Sequence, residues 1–204
     1  YYSNKMNNHI LNLKGISVEK NDVCILEDIN LEIKQGDFLN IYGSNGAGKT
    51  TLLKLLSGLT EPTAGEIKFN NDDFMDKVFI LGHKNGIKLN LTVLENLQFI
   101  SNNQDIKKIK SVIEKYELTS KMNTLAKYLS HGQQKRVALM KAMINDYDVW
   151  LLDEPYSGLD QAGEGILDNI LLDHIKNSGV VVITNHKEIK KEKVNIKNYK
   201  IEWM

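Results

Sequence analysis

The chain has 204 residues, enough for one domain, or for one core with a small satellite lobe. Hydrophobic residues at 42% and charged residues at 25% are ordinary for a soluble globular protein, and 26 basic residues balance 26 acidic ones, which argues against a surface for nucleic acid or another polyanion. A single cysteine, Cys24, excludes an intrachain disulfide and suits a reducing compartment, and no apolar run approaches the roughly 18 residues that span a bilayer.

The polar stretch 1–8 carries no charged-then-apolar export signal, so work at a membrane is expected to need another chain as anchor. Residues 10–19 and 23–33 alternate apolar and polar side chains, as half-buried strands do. A turn at Gln35, Gly36 and Asp37 precedes a short apolar strand over 38–42. A glycine-rich loop over 43–48 follows, then a helical pattern over 49–57 with Leu52, Leu53, Leu55 and Leu56 apolar and Gly58 as its stop. A turn over 62–65 leads to a strand over 66–69, and 78–81 is a further buried strand. From 92 to 128 the pattern is helical, with Leu94, Leu97 and Phe99 on one stripe and Ile106, Ile109 and Ile113 on another. A helix is expected over 133–144, apolar strands over 149–152 and 180–184, a solvated lysine-rich helix over 187–197 and an edge strand over 199–203. Strands alternating with helices, some strands apolar throughout, predict an α/β fold with a parallel sheet covered on both faces.

Gly43, Ser44, Asn45, Gly46, Ala47, Gly48, Lys49 and Thr50 fit the pattern G-x-x-x-x-G-K-[ST], between a predicted strand and a predicted helix. The glycines let the backbone curl so that successive N–H groups point at phosphate oxygens, and the following helix adds the positive end of its dipole. Lys49 brings a compact positive charge to the β- and γ-phosphates. Thr50, with Thr51 beside it, offers a hard hydroxyl ligand for Mg²⁺. This predicts a site for a nucleotide without saying which class of enzyme uses it. Downstream, an apolar strand ends in Asp153 and Glu154. A parallel sheet places such an end beside the phosphate loop, where Asp153 is expected to hold Mg²⁺ through water and Glu154 to polarise the attacking water.

Leu129, Ser130, His131, Gly132, Gln133, Gln134, Lys135 and Arg136 resemble the L-S-G-G-Q signature of ABC ATPases. A serine N-cap before an ordinary helix accounts for Ser130 alone, not for the ordered set of motifs. The order is also the family's: phosphate loop, helical insertion, signature, acidic strand, then Ser157 to Asp160 and finally His186. The resemblance implies one P-loop NTPase cassette over 1–204, with an N-terminal antiparallel β lobe and a helical lobe inserted at about 87–130. It implies ATP and Mg²⁺ as cofactors, and a second copy of the cassette as partner. Ser130, Gly132, Gln133 and Asp160 would then serve the nucleotide held by the other copy, and His186 would contact the γ-phosphate and orient water. Three departures stand out. His131 replaces a glycine of the signature. His83 stands where the family has a glutamine that reaches Mg²⁺ or its water, which makes His83 a candidate for catalysis and for the metal. The stretch 18–22 lacks the aromatic residue that stacks on adenine in the family.

The segment from Leu81 through Gly86-Ile87-Lys88 to Leu91-Thr92 and Glu95-Asn96-Leu97 resembles the haem-exporter ATPases of cytochrome c maturation. That resemblance implies integral membrane permease subunits of the same system as partners. It also implies a peripheral place on the cytoplasmic face of a bacterial inner membrane, or on the matrix face of an organelle's. The alternatives are the ATPase of another small ABC exporter, a soluble ABC ATPase acting on DNA or ribosomes, and a non-catalytic nucleotide-binding partner. The neutral charge and the lack of a coiled-coil insertion or second cassette disfavour the soluble ATPase. The retained Lys49, Asp153, Glu154 and His186 disfavour the non-catalytic partner.

Overall fold

The computed structural model describes residues 9–70, 73–82, 84–99, 101, 106–191 and 194–202. In chain order the elements are β1 (His9–Lys20), β2 (Val23–Lys34), β3 (Phe38–Tyr42), α1 (Lys49–Leu56), β4 (Ala64–Phe69), β5 (Val78–Leu81), α2 (Val93–Gln98), α3 (Ile106–Lys115), α4 (His131–Ile144), β6 (Val149–Leu152), α5 (Gln161–Lys176), β7 (Val180–Asn185) and β8 (Ile196–Lys200). The two alternating N-terminal segments pair as an antiparallel hairpin. Asn21 and Asp22 close it with φ of 51° and 60°, the left-handed backbone that lets a two-residue turn follow the strand twist. β4 adds to the free edge of β1, giving the order β2-β1-β4.

The second sheet is parallel, in the order β5-β6-β7-β3-β8. Its two faces are both covered, and the strand period of two decides which residue meets which layer. Val149, Leu151, Val180 and Val182 pack with Leu52, Leu55 and Leu56 of α1 and with Ile16 and Leu26 of the antiparallel sheet. Trp150, Leu152, Val181 and Ile183 pack with Val137, Ala138 and Leu139 of α4 and with Leu167, Ile170 and Leu171 of α5. Each fully buried aliphatic side chain contributes about 1.5–3 kcal/mol relative to exposure, so this double burial holds the central strands more firmly than their edges.

Between 92 and 128 the chain is not continuously helical. α2 begins at a capping box, in which Thr92 Oγ1 accepts from Glu95 N–H at 3.2 Å and Glu95 Oε2 accepts from Thr92 N–H at 2.7 Å. α3 buries Ile109 and Ile113, and Glu117, with φ of 58°, ends that run. Short 3-10 turns at Thr119–Lys121 and Ala126–Tyr128 complete the segment. Phe99 departs from its expected stripe: it is exposed, with the Lys88 ammonium 4.5 Å from its ring centre. α5 has no counterpart in the sequence-based reading, because Gly163 and Gly165 dilute its first turns.

Over its described residues, 187–191 and 194–197, the lysine-rich run is not the expected helix. Asn198 engages the backbone of Ile189 twice, accepting from its N–H at 3.0 Å and donating to its carbonyl at 2.9 Å. The buried Asn40 donates to Asn198 Oδ1 at 2.7 Å and to the Lys187 carbonyl at 3.2 Å. These side-chain bonds occupy the groups that a helix would need. The last strand starts at Ile196, earlier than expected, and takes the edge position beside β3.

Candidate nucleotide site

β6, β7 and β3 are neighbours and parallel, so the segments that follow them leave the sheet on one side. β3 runs into the loop 43–48, β6 into Asp153 and Glu154, and β7 into His186. The loop is curled tightly. Gly46 and Gly48 have φ of 83° and 93°, where a side chain is strained. A Cβ on Gly48 would also stand 2.7 Å from Leu26 Cδ2 and 2.8 Å from the Ile25 carbonyl oxygen, because the loop is pressed onto β2. A Cβ on Gly43 would collide with the Ile201 carbonyl oxygen. Gly48 starts α1 without a side-chain cap, which leaves the first N–H groups of that helix to other partners. Ala47 is buried behind the loop, while Ser44, Asn45 and Gly46 are exposed. Lys49 is buried, and its Nζ donates to the Gly43 and Ser44 carbonyls at 2.9 Å each.

A chain of hydrogen bonds joins the loop to the acids. Thr50 Oγ1 donates to Asp153 Oδ2 at 2.9 Å, and Thr184 Oγ1 donates to Asp153 Oδ1 at 2.6 Å. The same Thr184 oxygen accepts the Glu154 N–H at 2.9 Å. Glu154 is itself left-handed, with φ of 47°, and its Oε1 lies 3.3 Å from His186 Nε2. Thr184 is completely buried at the end of an apolar strand. The sequence pattern over 180–184 predicts only a strand there, and the lone hydroxyl in an apolar run is the signal that points to a further role. Lys135 is the other residue missed: its Nζ donates to carbonyls of the segment that begins at Glu154.

These groups open onto a cleft of about 770 Å³. Asn45, Gly46, Gly48, Lys49, Thr50, Thr51, Glu154 and His186 line one side, and Lys20, Asn21, Val23, Cys24 and Ile25 line the other. None of these is aromatic, in keeping with the sequence of the 18–22 stretch. The donor set fits a magnesium nucleotide. A hydroxyl and a carboxylate oxygen 2.9 Å apart are hard ligands of the kind Mg²⁺ prefers, and the curled loop and uncapped helix start suit phosphate.

Ser130, Gly132, Gln133 and Asp160 do not line this cleft. Ser130 caps α4: its Oγ accepts from Gln133 N–H at 3.3 Å, and Gln133 Oε1 accepts from Ser130 N–H at 3.0 Å. Asp160 caps α5, accepting from Gly163 N–H at 2.8 Å. The two caps sit side by side. A Cβ on Gly158 would stand 3.2 Å from His131 Nδ1, and one on Gly132 would stand 3.2 Å from Leu159 Cδ2. The His83 reading lies outside the described residues.

The ABC transporter family matches the chain over residues 26–157. The chain belongs to the ABC transporter family. Among relatives of this cassette is the cytochrome c biogenesis ATP-binding export protein CcmA of Histophilus somni, 35% identical over 96% of each chain. The protein of that name from Haemophilus influenzae is 33% identical over 95% of the cassette and 98% of its own length. Among solved structures, an ABC transporter ATP-binding protein from Pyrococcus furiosus is 26% identical, covers 94% of the cassette and 96% of its own chain, and superposes with a TM-score of 0.80. The α/β P-loop fold expected from the sequence is therefore the fold of the cassette.

Proposed function

We propose that this cassette is the ATP-hydrolysing subunit of a transporter that serves cytochrome c biogenesis, handling haem. The observation that carries this reading is the match to cytochrome c biogenesis export proteins over nearly the whole length of both chains. The geometry of the cleft supports the chemistry. Lys49 and the amides of the phosphate loop bind and orient the phosphates. Thr50 and Asp153 are the residues that would hold Mg²⁺, and that ion supplies neutralisation of charge on the phosphate oxygens. Glu154 takes up proton density from the attacking water as the water oxygen bonds to the γ-phosphorus, and the bond to the ADP oxygen breaks. His186, 3.3 Å from Glu154 Oε1, orients that water. Among the described residues no aromatic side chain lines the cleft, and its base end falls to Val23 and Ile25.

In this reading the cassette is one folded unit with a helical lobe over 87–130. It works as a head-to-tail pair, with Ser130, Gly132, Gln133 and Asp160 of one copy facing the nucleotide of the other. Integral permease subunits hold it at the cytoplasmic face of the membrane. Among the described residues no helix is long and apolar enough to cross a membrane, so attachment through those subunits is the route proposed. The test is a haem stain for holo-cytochromes c in cells whose sole copy carries Glu154→Gln. Loss of covalent haem with apocytochrome still made is the expected result. Normal holo-cytochrome with a variant shown to be ATPase-dead would assign the cassette to another membrane partner and cargo.

A further inference from the structure

Lys135 is a charged residue only 6% exposed, in the second turn of α4, the helix that begins at the signature serine. Its ammonium points into the segment that follows β6 and donates to three carbonyls: Glu154 at 3.4 Å, Pro155 at 2.8 Å and Ser157 at 3.0 Å. A buried ammonium has three N–H donors and must place each of them, and here all three have backbone acceptors. The segment it grips is strained. Glu154 is a non-glycine residue with φ of 47°, and Gly158 follows with φ of 73°. At Glu154, which carries a side chain, that backbone is unfavourable and persists only where the surroundings impose it, whereas Gly158 adopts it readily. Two groups impose it on Glu154 besides the local turn: the Thr184 hydroxyl on its N–H and Lys135 on its carbonyl. Burial pushes the Lys135 ammonium below its ordinary range, while the Glu154 carboxylate opposes that shift, which places the two charges in each other's field.

We propose that Lys135 is a positioning residue for ATP hydrolysis: it fixes the backbone of Glu154 from the signature helix, so that the aim of the carboxylate depends on where that helix sits. This rests on the reading of Glu154 as the group that polarises water. The lysine touches no substrate. It acts through the glutamate, so its loss lowers turnover and spares nucleotide binding.

The experiment uses the full-length cassette with its membrane partners and compares Lys135→Met, Lys135→Arg, Glu154→Gln and the double variant Lys135→Met/Glu154→Gln. Lys135→Met is expected to lower kcat roughly 10- to 100-fold, the effect of a catalytic group displaced by about 1 Å, with ATP Kd unchanged. Lys135→Arg, which keeps several donors and the charge, restores most of the rate. In the Glu154→Gln background Lys135→Met costs little more, because both changes remove one function. Wild-type turnover in Lys135→Met overturns the proposal. So does an equal fold-loss in both backgrounds, or a fall in ATP affinity parallel to the fall in kcat. If Lys135→Met fails to fold, Lys135→Gln, which keeps two donors, is read by the same three criteria. Rapid turnover in Glu154→Gln alone overturns the base reading and this inference together, whereas the other failures overturn the lysine's role and leave the glutamate's intact.

Discussion

A single hydroxyl, that of Thr184, serves both acids at the end of β6, donating to Asp153 and accepting from the Glu154 N–H. Thr184→Val removes it at nearly constant shape and leaves a buried N–H without its acceptor. The expected loss of stability is about 1–3 kcal/mol, read from the urea midpoint, together with a larger loss in hydrolysis than in ATP binding. A variant as stable and as active as wild type would show the hydroxyl to be incidental. Lys49, Thr50, Asp153, Glu154 and His186 were legible in the sequence because each stands in a motif whose order along the chain is informative. Thr184 and Lys135 were not, for a physical reason. The partners of Thr184 lie 30 and 31 positions away and those of Lys135 lie 19, 20 and 22 away, and those of Lys135 are backbone carbonyls, which carry no residue-type signal. The self-contained cap at Ser130 teaches the converse: a motif residue in a ligand role and the same residue in a local structural role have one spelling.

At the scale of elements, α4 is tied to its surroundings by long polar side chains as well as by its apolar face. Gln134 Nε2 donates to the Ala126 carbonyl at 3.0 Å, Arg136 Nη1 to the Tyr116 carbonyl at 2.9 Å, and Lys141 Nζ to the Gly86 carbonyl at 2.6 Å. Burial, with the Lys88 ammonium nearby, pushes Lys141 down to about 8 from the ordinary 10.5. Between those values the unfolded chain still holds a proton that the folded chain has shed. Stability therefore rises with pH across that window, by up to about 3 kcal/mol, and is lost as pH falls back through 8. Urea midpoints at pH 7.5 and 9.5 should show the rise in wild type and a flatter profile in Lys141→Met; equal slopes would remove this residue from the account. Elements with a clean period were legible, α3 with Ile109 and Ile113 buried being the plainest helical case. The run 187–197 was not, because Asn40 and Asn198, neither of them in its charge pattern, claim its backbone.

At the scale of the whole molecule, the signature residues and the phosphate loop of one chain do not meet in one cleft. In the paired arrangement proposed above, a second copy brings the two together. Glu154→Gln with ATP is expected to run at twice the monomer mass in light scattering and to return to monomer when ATP is removed; a monomer at saturating ATP would argue against the paired arrangement. The parallel core was legible because β6 and the first four residues of β7 are apolar, while strand order was not, since only the three-dimensional sheet sets β3 between β7 and β8. That order gives the final strand two duties. β8 covers the outer edge of β3, Ile201 N–H donates to the Tyr42 carbonyl at 2.8 Å, and the Ile201 carbonyl backs onto Gly43. Clipping the chain before 196 would therefore bare the edge of the strand that feeds the phosphate loop and withdraw the floor beneath its first glycine. Such a shortened protein is expected to aggregate and to lose ATP affinity together, read by turbidity and nucleotide titration. For anyone attaching a reporter or an affinity handle near β8, that strand and Ile201 are the rear wall of the candidate nucleotide site, and a long flexible spacer keeps the addition off it.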